Sequence, residues 1–338
     1  MIALSPFDKA LARSRSYHAF SRLFDAGITP ETLLYATAIG ELRDALPEHQ
    51  NDDQSAVAHQ RLFGFNVFAY ESIFLSPDAV LGGSVTERVA QFYQHAGFKD
   101  GHGETADHIA NELALTAFLC GAEADAWQDG QTGEAARMQA VQRTFLDNHL
   151  LCWLPGLRLA IQQQSEPFYA TLTSLALEVA LDHRADLRND LLAPAARFTL
   201  PAAPSLLSSD RTGLRDIAGW LLTPAHSGIY LSRDDISRLG RQHNLPTGFG
   251  SRRIMLTNLL RSAAQFDAVP ALLAGVQTLL TRWQAGYVAL QESPVASARA
   301  IGAIWLERLA ETASLLNQLS EAAAVWQDET VAPELQDV

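Results

Sequence analysis

Ala106-Asp107-His108-Ile109-Ala110-Asn111-Glu112-Leu113 opens an otherwise apolar helical stretch, behind the loop Lys99-Asp100-Gly101-His102-Gly103-Glu104. An acid, an imidazole and a second acid stand close together there. His108 and Glu112 are four apart and share one helical face. Asp107 falls at the helix mouth, where a carboxylate can accept from backbone N–H groups that lack helical partners. Polar groups this close to an apolar stripe either serve a site or tie a loop to the core. Outward in both directions the apolar residues recur at the helical period, and no convincing strand pair is found. The chain therefore reads as all-α.

Upstream, Leu11 to Phe24 is amphipathic, with Tyr17, Phe20, Leu23 and Phe24 on one side and Gly27 as a stop. Thr29-Pro30-Glu31 opens the next helix, with Pro30 in its first turn. Asn51-Asp52-Asp53-Gln54-Ser55 reads as a polar loop. Val57 to Leu75 reads as one long helix, interrupted at Gly64 and ended before Pro77. After the Leu81-Gly82-Gly83 turn, Ser84-Val85-Thr86-Glu87 is a capping box for a helix to about Ala96. The central helix is expected from Asp107 to Cys120, stopped by Gly121. Gly133 to Leu151 and Pro167 to His183 follow, and Trp153 with Pro155 marks a helix end between them.

Pro194, Pro201 and Pro204 interrupt the periodicity, so 193–210 reads as a linker. Beyond it helices are expected at Thr212 to Leu222, Ser232 to His243, Ser251 to Phe266, Val269 to Leu290 and Pro294 to Trp326. The domain reading is a core at 1–192, a C-terminal helical domain at 211–326 and an acidic, frayed tail at 327–338.

The chain has 338 residues, 48% of them apolar, enough to build a core without metal or disulfide staples. Its formal charge of −13 favours basic partners and disfavours a nucleic-acid backbone. Cys120 and Cys152 lie in apolar helical surroundings and read as buried free thiols of a reducing compartment. The N-terminus lacks the charged and apolar regions of an export signal, and no uncharged run reaches the ~18 residues of a membrane span. A soluble, cytoplasmic protein is expected.

Catalytic and cofactor motifs are nearly absent, so no cofactor is expected. Gly101-His102-Gly103-Glu104-Thr105-Ala106 loosely resembles a dinucleotide fingerprint but lacks the preceding strand. His95, His102 and His108 have no standard metal spacing. The segment Phe63 to Leu75 is dense in aromatic residues. Most of these rings belong to the core, but they cannot all share one stripe, and some must face another surface. Exposed rings beside apolar area suggest a partner groove.

These pieces occur in a telling order: Tyr70-Glu71-Ser72, then Gly82-Gly83, then Asp107-His108-x-x-x-Glu112-Leu113. His149-Leu150 with Trp153-x-Pro155, and Pro167-Phe168-Tyr169, complete it. Over about residues 10–190 the chain resembles the TorD/DmsD/NarJ family of redox-enzyme maturation chaperones. The resemblance implies an all-α fold without catalytic activity. It also implies binding of the apo form of a molybdopterin oxidoreductase, often through its twin-arginine signal peptide, until cofactor insertion is complete. It carries the family's peptide-binding region onto Asp107 and His108, and onto Glu112. A homodimer formed by exchange of elements is compatible with it.

Physical chemistry points the same way. Two guanidinium groups followed by an apolar stretch need carboxylates and an aromatic-lined groove. Asp107 and Glu112, with Glu71, are candidates for the first. Tyr70, Phe74, Trp153, Pro155, Phe168 and Tyr169 are candidates for the second. Asp107 can serve as a helix cap and as a ligand contact at once. Residues 205–338 exceed the short family members. Arg233, Arg238, Arg241, Arg252, Arg253 and Arg261 make this half locally basic, so a helix-turn-helix DNA reader at 232–261 is the alternative reading. An enzyme working at Asp107, His108 and Glu112 is a third.

Overall fold

Helical periodicity, capping residues and the absence of alternating runs lead to helices throughout. The computed structural model describes residues 4–48, 51–99, 103–187, 198–208 and 211–331, with side chains to residue 323. Among these residues there is no strand, only one isolated antiparallel bridge between Tyr70 and His108. The chain separates into two compact units. One comprises Met1–Thr199 with Ser293–Ile301, the other Leu200–Glu292 with Gly302–Val338.

The first unit holds α1 (Pro6–Ala26), α2 (Leu33–Ala38), α3 (Gly40–Asp44), α4 (Asp52–His59) and α5 (Glu71–Leu75). It continues with α6 (Gly83–Ala96), α7 (Ile109–Gln128), α8 (Thr132–Phe145), α9 (Leu151–Gln162) and α10 (Pro167–Asp186). Helix α1 lies along α7. It buries Tyr17, Phe20, Leu23 and Phe24, each contributing roughly 1.5–3 kcal/mol. Two hydroxyls on α1 donate into α7: Ser14 to the Ala117 carbonyl and Ser21 to the Ala110 carbonyl, both at 2.8 Å. Gly121 does not stop α7, which runs on to Gln128. A Cβ there would stand 3.4 Å from the Ser14 hydroxyl, so the glycine serves close helix packing.

A buried polar ladder ties this unit together. Tyr17 Oη lies 3.1 Å from His183 Nδ1, and His183 Nε2 lies 2.9 Å from Gln142 Oε1. Gln142 Nε2 donates at 3.0 Å to both the Leu119 carbonyl and Glu123. Because Gln142 offers its oxygen, His183 Nε2 is the donor and Nδ1 accepts from Tyr17. Burial pushes the His183 imidazole down to about 3, so the ring is neutral.

Several local readings are corrected. Asn51 does not lie in a loop; its side chain accepts from Gln54 N and caps α4. Thr29, Pro30 and Glu31 form the turn before α2 rather than its first turn. The helix expected from Val57 to Leu75 is broken into α4, a π-helical segment Gln60–Asn66, an extended stretch and α5. The extended residues pair with Asp107–Ile109, and that pairing outweighs helical continuation. Helix α6 starts at Gly83 with Gly82 as its cap residue, so the Ser84 capping box does not form. Leu146–Leu150 is a second π-helical segment, and Pro155 lies inside α9 instead of ending a helix. The expected linker at 193–210 lies partly outside the described residues; 198–208 contains a short turn at Leu206–Ser208.

The second unit holds α11 (Leu214–Leu221), α12 (Pro224–Ser227), α13 (Arg233–Gln242), α14 (Arg252–Gln265), α15 (Val269–Gln291) and most of α16 (Ala296–Val331). The Ser232/Asp235 capping box forms as read. The core centres on Trp283, Tyr287 and Trp305, with the last two rings stacked at 5.6 Å. Gly228 ends α12 at φ 74°, and a Cβ there would meet Leu309 at 2.9 Å. Both the turn and the close approach require glycine. No helix among the described residues is long and apolar enough to cross a membrane.

Candidate functional site

The site is built where two helix starts cross. Ile109 N donates to the Ala69 carbonyl at 3.0 Å, and Glu71 N donates to the Asp107 carbonyl at 2.9 Å. This short antiparallel pairing aligns the first turns of α5 and α7. Asp107, fully buried, caps α5 rather than its own helix: Oδ2 accepts from Ser72 N at 3.0 Å. Its Oδ1 accepts from the Thr105 hydroxyl at 2.9 Å. The cap of α7 is His108, whose Nδ1 accepts from Ala110 N at 3.4 Å. Burial pushes the His108 imidazole down to about 4, against the pull of Glu104, Asp25 and Asp107. A neutral ring is what the accepting Nδ1 needs, and it leaves the proton on Nε2. Asn111 fastens the preceding loop by donating to the Glu104 and Thr105 carbonyls at 3.1 and 2.9 Å. Tyr93 adds a bond to the Ala106 carbonyl at 2.6 Å.

Beneath this crossing lies a buried acid pair. Glu71 accepts from His149 Nδ1 at 3.0 Å, and Glu112 accepts from Trp153 Nε1 at 3.1 Å. Both carboxyls are fully buried. Burial first, and then the charge of Glu71, push the Glu112 carboxyl well above the usual carboxylate range. The hydrogen bond from Trp153 pulls the other way and does not win. The neutral form of Glu112 is therefore favoured well beyond its usual range, and its Oε1 has no hydrogen-bond partner among the described residues. Phe74 roofs the pair, its ring 5.5 Å from that of Trp153.

Above the crossing the surface is acidic and aromatic. Tyr70 is half-buried, its ring 4.8 Å from that of His108, and its hydroxyl donates to exposed Glu104 at 2.5 Å. Asp25, at the end of α1, also acts on His108, as does His59. His59 bonds the Phe24 carbonyl at 2.9 Å and packs 5.8 Å from Tyr169. Phe63 bridges Phe24 and Tyr169 at 5.9 and 5.3 Å.

Among the residues expected from the sequence, Tyr70, Glu71, Phe74, Asp107, His108, Glu112 and Trp153 come together in one cluster. Phe168 and Tyr169 are buried in the neighbouring aromatic group around His59, and Pro155 is buried within α9. Only Tyr70 of this set offers substantial surface. The exposed and half-exposed groups Glu104, Asp25 and His59 were not legible as site residues. Glu104 stands in the quoted loop, but its role depends on where the Tyr70 hydroxyl lands. Asp25 and His59 carry no local signal at all. His149 was quoted in the family pattern, and its bond to Glu71 gives that position a physical reason. His95 bonds the Gln91 carbonyl on its own helix, and His102 lies outside the described residues.

The family-model match falls on this same segment. Residues 32–158 match the family model described as "Nitrate reductase delta subunit". Two curated relatives are the selenate reductase assembly chaperone protein of Thauera selenatis and the chlorate reductase assembly chaperone protein of Ideonella dechloratans. The first is 32% identical over 105 residues, 30% of this chain and 53% of that protein. The second is 32% identical over 108 residues, with the same shares. The chain thus spans about half the length of the curated relatives it matches. The matched segment contains the whole Tyr70–Trp153 cluster, whereas Phe168, Tyr169 and all of the second unit lie outside it.

The DNA-reader alternative finds no support. Arg233 Nε donates to the Gly250 carbonyl at 3.0 Å. Arg252 donates to the Leu231 carbonyl at 3.1 Å and lies 4.4 Å over the Tyr230 ring. Arg261 bonds Asn258 at 3.1 Å, and Arg238 pairs with Asp235 at 3.3 Å. These guanidinium groups hold turns and helix ends of their own unit.

Proposed function

We propose that this protein is a system-specific cytoplasmic chaperone. It binds the apo form of a molybdopterin oxidoreductase, including its twin-arginine leader peptide, during cofactor insertion, and it turns over no substrate itself. One observation carries the reading: the segment that matches the family model, residues 32–158, is the one that builds the Tyr70–Trp153 cluster, and the curated relatives are named as reductase assembly chaperones. The cluster also argues against catalysis at Asp107, His108 and Glu112. Asp107 and His108 are spent on helix caps, and Glu112 is buried beneath them.

In this reading the sequence-expected residues divide by depth. Tyr70, Glu104 and Asp25 meet the arginines of the leader peptide, and the neutral His108 ring packs against Tyr70. Phe63, backed by buried Tyr169, borders the path of its apolar stretch. Asp107, Glu71, Glu112, Phe74 and Trp153 position that surface from below, so they act on binding through the loop they hold. Pro155 and Phe168 shape the helices that carry it.

The test is fluorescence anisotropy with a labelled peptide of two arginines followed by an apolar stretch, alongside capture of the apo-reductase. Because Glu104 is exposed, the loss expected for Glu104→Gln is modest, about three- to tenfold in affinity. Asp25→Asn should cost a similar factor. Replacing both arginines of the peptide by glutamine should remove the difference between wild type and variants. No saturable binding of either peptide or apo-reductase by the folded protein would overturn the proposal.

A further inference from the structure

The C-terminal unit carries a cleft between α13 and α15 that the chaperone reading does not use. Its volume is about 540 Å³, within the range of small-molecule sites. The chemistry of its walls is divided. One side is apolar, formed by Leu239, Ala274 and Leu279; the rim carries Arg238, Arg282, Gln242 and Thr278. At the bottom, His243 Nε2 is buried and has no hydrogen-bond partner among the described residues. The absence of a side chain at Gly275 keeps this floor open: a Cβ there would stand 3.0 Å from His243 Nε2 and 3.1 Å from Leu239.

Charge accounting selects the occupant. Asp235 is almost fully buried, and its Oδ2 accepts from Ser232 N and the Ser232 hydroxyl at 3.0 and 2.7 Å. Its Oδ1 pairs with Arg238 at 3.3 Å, so the carboxylate and one guanidinium neutralise each other. Arg282, exposed on α15, leaves one positive charge in surplus. Arginine recognises planar oxyanions through parallel N–H donors, and Gln242 adds an amide donor. We propose that this cleft binds an amphipathic organic anion: one carboxylate or sulfonate between Arg282 and Arg238, with an apolar body of bicyclic size against Leu239, Ala274 and Leu279.

The experiment uses the full chain and two dyes of similar shape, the anionic anilinonaphthalene sulfonate and the neutral phenylnaphthylamine. Saturable binding of one sulfonate dye per chain is expected, with decanoate competing. Arg282→Glu should weaken the sulfonate about tenfold, the loss of one charge-assisted contact, and leave the neutral dye within about twofold. Ala274→Trp, which fills the cleft from an exposed position, should abolish both. Arg282 is exposed, so its variant retains the fold, and thermal melts verify this. An unchanged sulfonate affinity in Arg282→Glu would overturn the proposal. So would parallel loss of both dyes in that variant, or full-strength binding in Ala274→Trp.

Discussion

Glu112→Gln isolates the proton held in the buried acid pair. In the folded protein Glu112 is fully buried, and burial with the Glu71 charge raises its carboxyl well above the ordinary 4.5. The unfolded chain releases this proton near the ordinary value, while the folded chain keeps it. The contribution to stability is therefore complete at low pH and is lost as pH rises toward the raised folded value. Within that window the loss is about 1.4 kcal/mol per pH unit. The amide of the variant fills the same space without a titrating proton, its oxygen accepting from Trp153. The variant should therefore gain stability over wild type as pH rises, by roughly 3–5 °C per pH unit within that window in the melting of a unit of this size. Scanning calorimetry at several pH values, with hydrogen exchange of the α7 amides to locate the effect, measures it. Parallel pH profiles for wild type and variant would refute the buried-proton argument. A variant less stable at every pH would show that the carboxyl is ionised and paired.

Asp107→Ala should cost about 2–3 kcal/mol, because Ser72 N is left buried without an acceptor; Asp107→Asn should cost less than about 1 kcal/mol, since its carbonyl can still take that N–H and its NH₂ can face the Thr105 hydroxyl. Thermal melts of the two variants separate cap from charge, and equal losses would refute the cap assignment. His183 and His108 are held neutral by burial, at about 3 and about 4, well below the ordinary 6.5. Their contribution is present above the ordinary value and is lost as pH falls from about 6.5 toward those lowered values, so His183→Gln should flatten the acid limb of the stability curve. A fragment of residues 1–192 is expected to be soluble and to melt cooperatively, as the two-domain proposal requires; aggregation on expression would show that it lacks part of its core.

Much of the fold follows from local chemistry. Helical periodicity, the Gly27 stop, the Ser232/Asp235 box and Pro167 in a first turn are settled within a few residues of chain, and the structure keeps them. The motif order around Asp107-His108 likewise carries the resemblance that the family-model match over residues 32–158 supports, without any knowledge of geometry. What local chemistry does not reach is the identity of distant partners. The long helix expected at Val57 to Leu75 yields because Ala69 and Glu71 find backbone partners on Ile109 and Asp107. Asp107 caps α5 instead of α7 because Ser72 N is the nearer donor once those strands of chain cross. Gly121 reads as a stop but lies inside α7, facing Ser14 of the neighbouring helix.

The candidate site shows the same division. Which residue types it uses was legible in the sequence: two acids, an imidazole and nearby aromatic rings. Which of them face outward was not, because exposure depends on the packing of α1, α5, α7 and α9 together. That packing buries Asp107, Glu71 and Glu112, and brings Asp25 and Glu104 to the surface beside Tyr70 and His108. The sequence by itself determined the helices and the chemistry available to them; tertiary structure decided which carboxyl keeps its proton and which meets solvent. The physical reason is that desolvation and charge pairing depend on distances through space, and residues far apart along the chain set those distances.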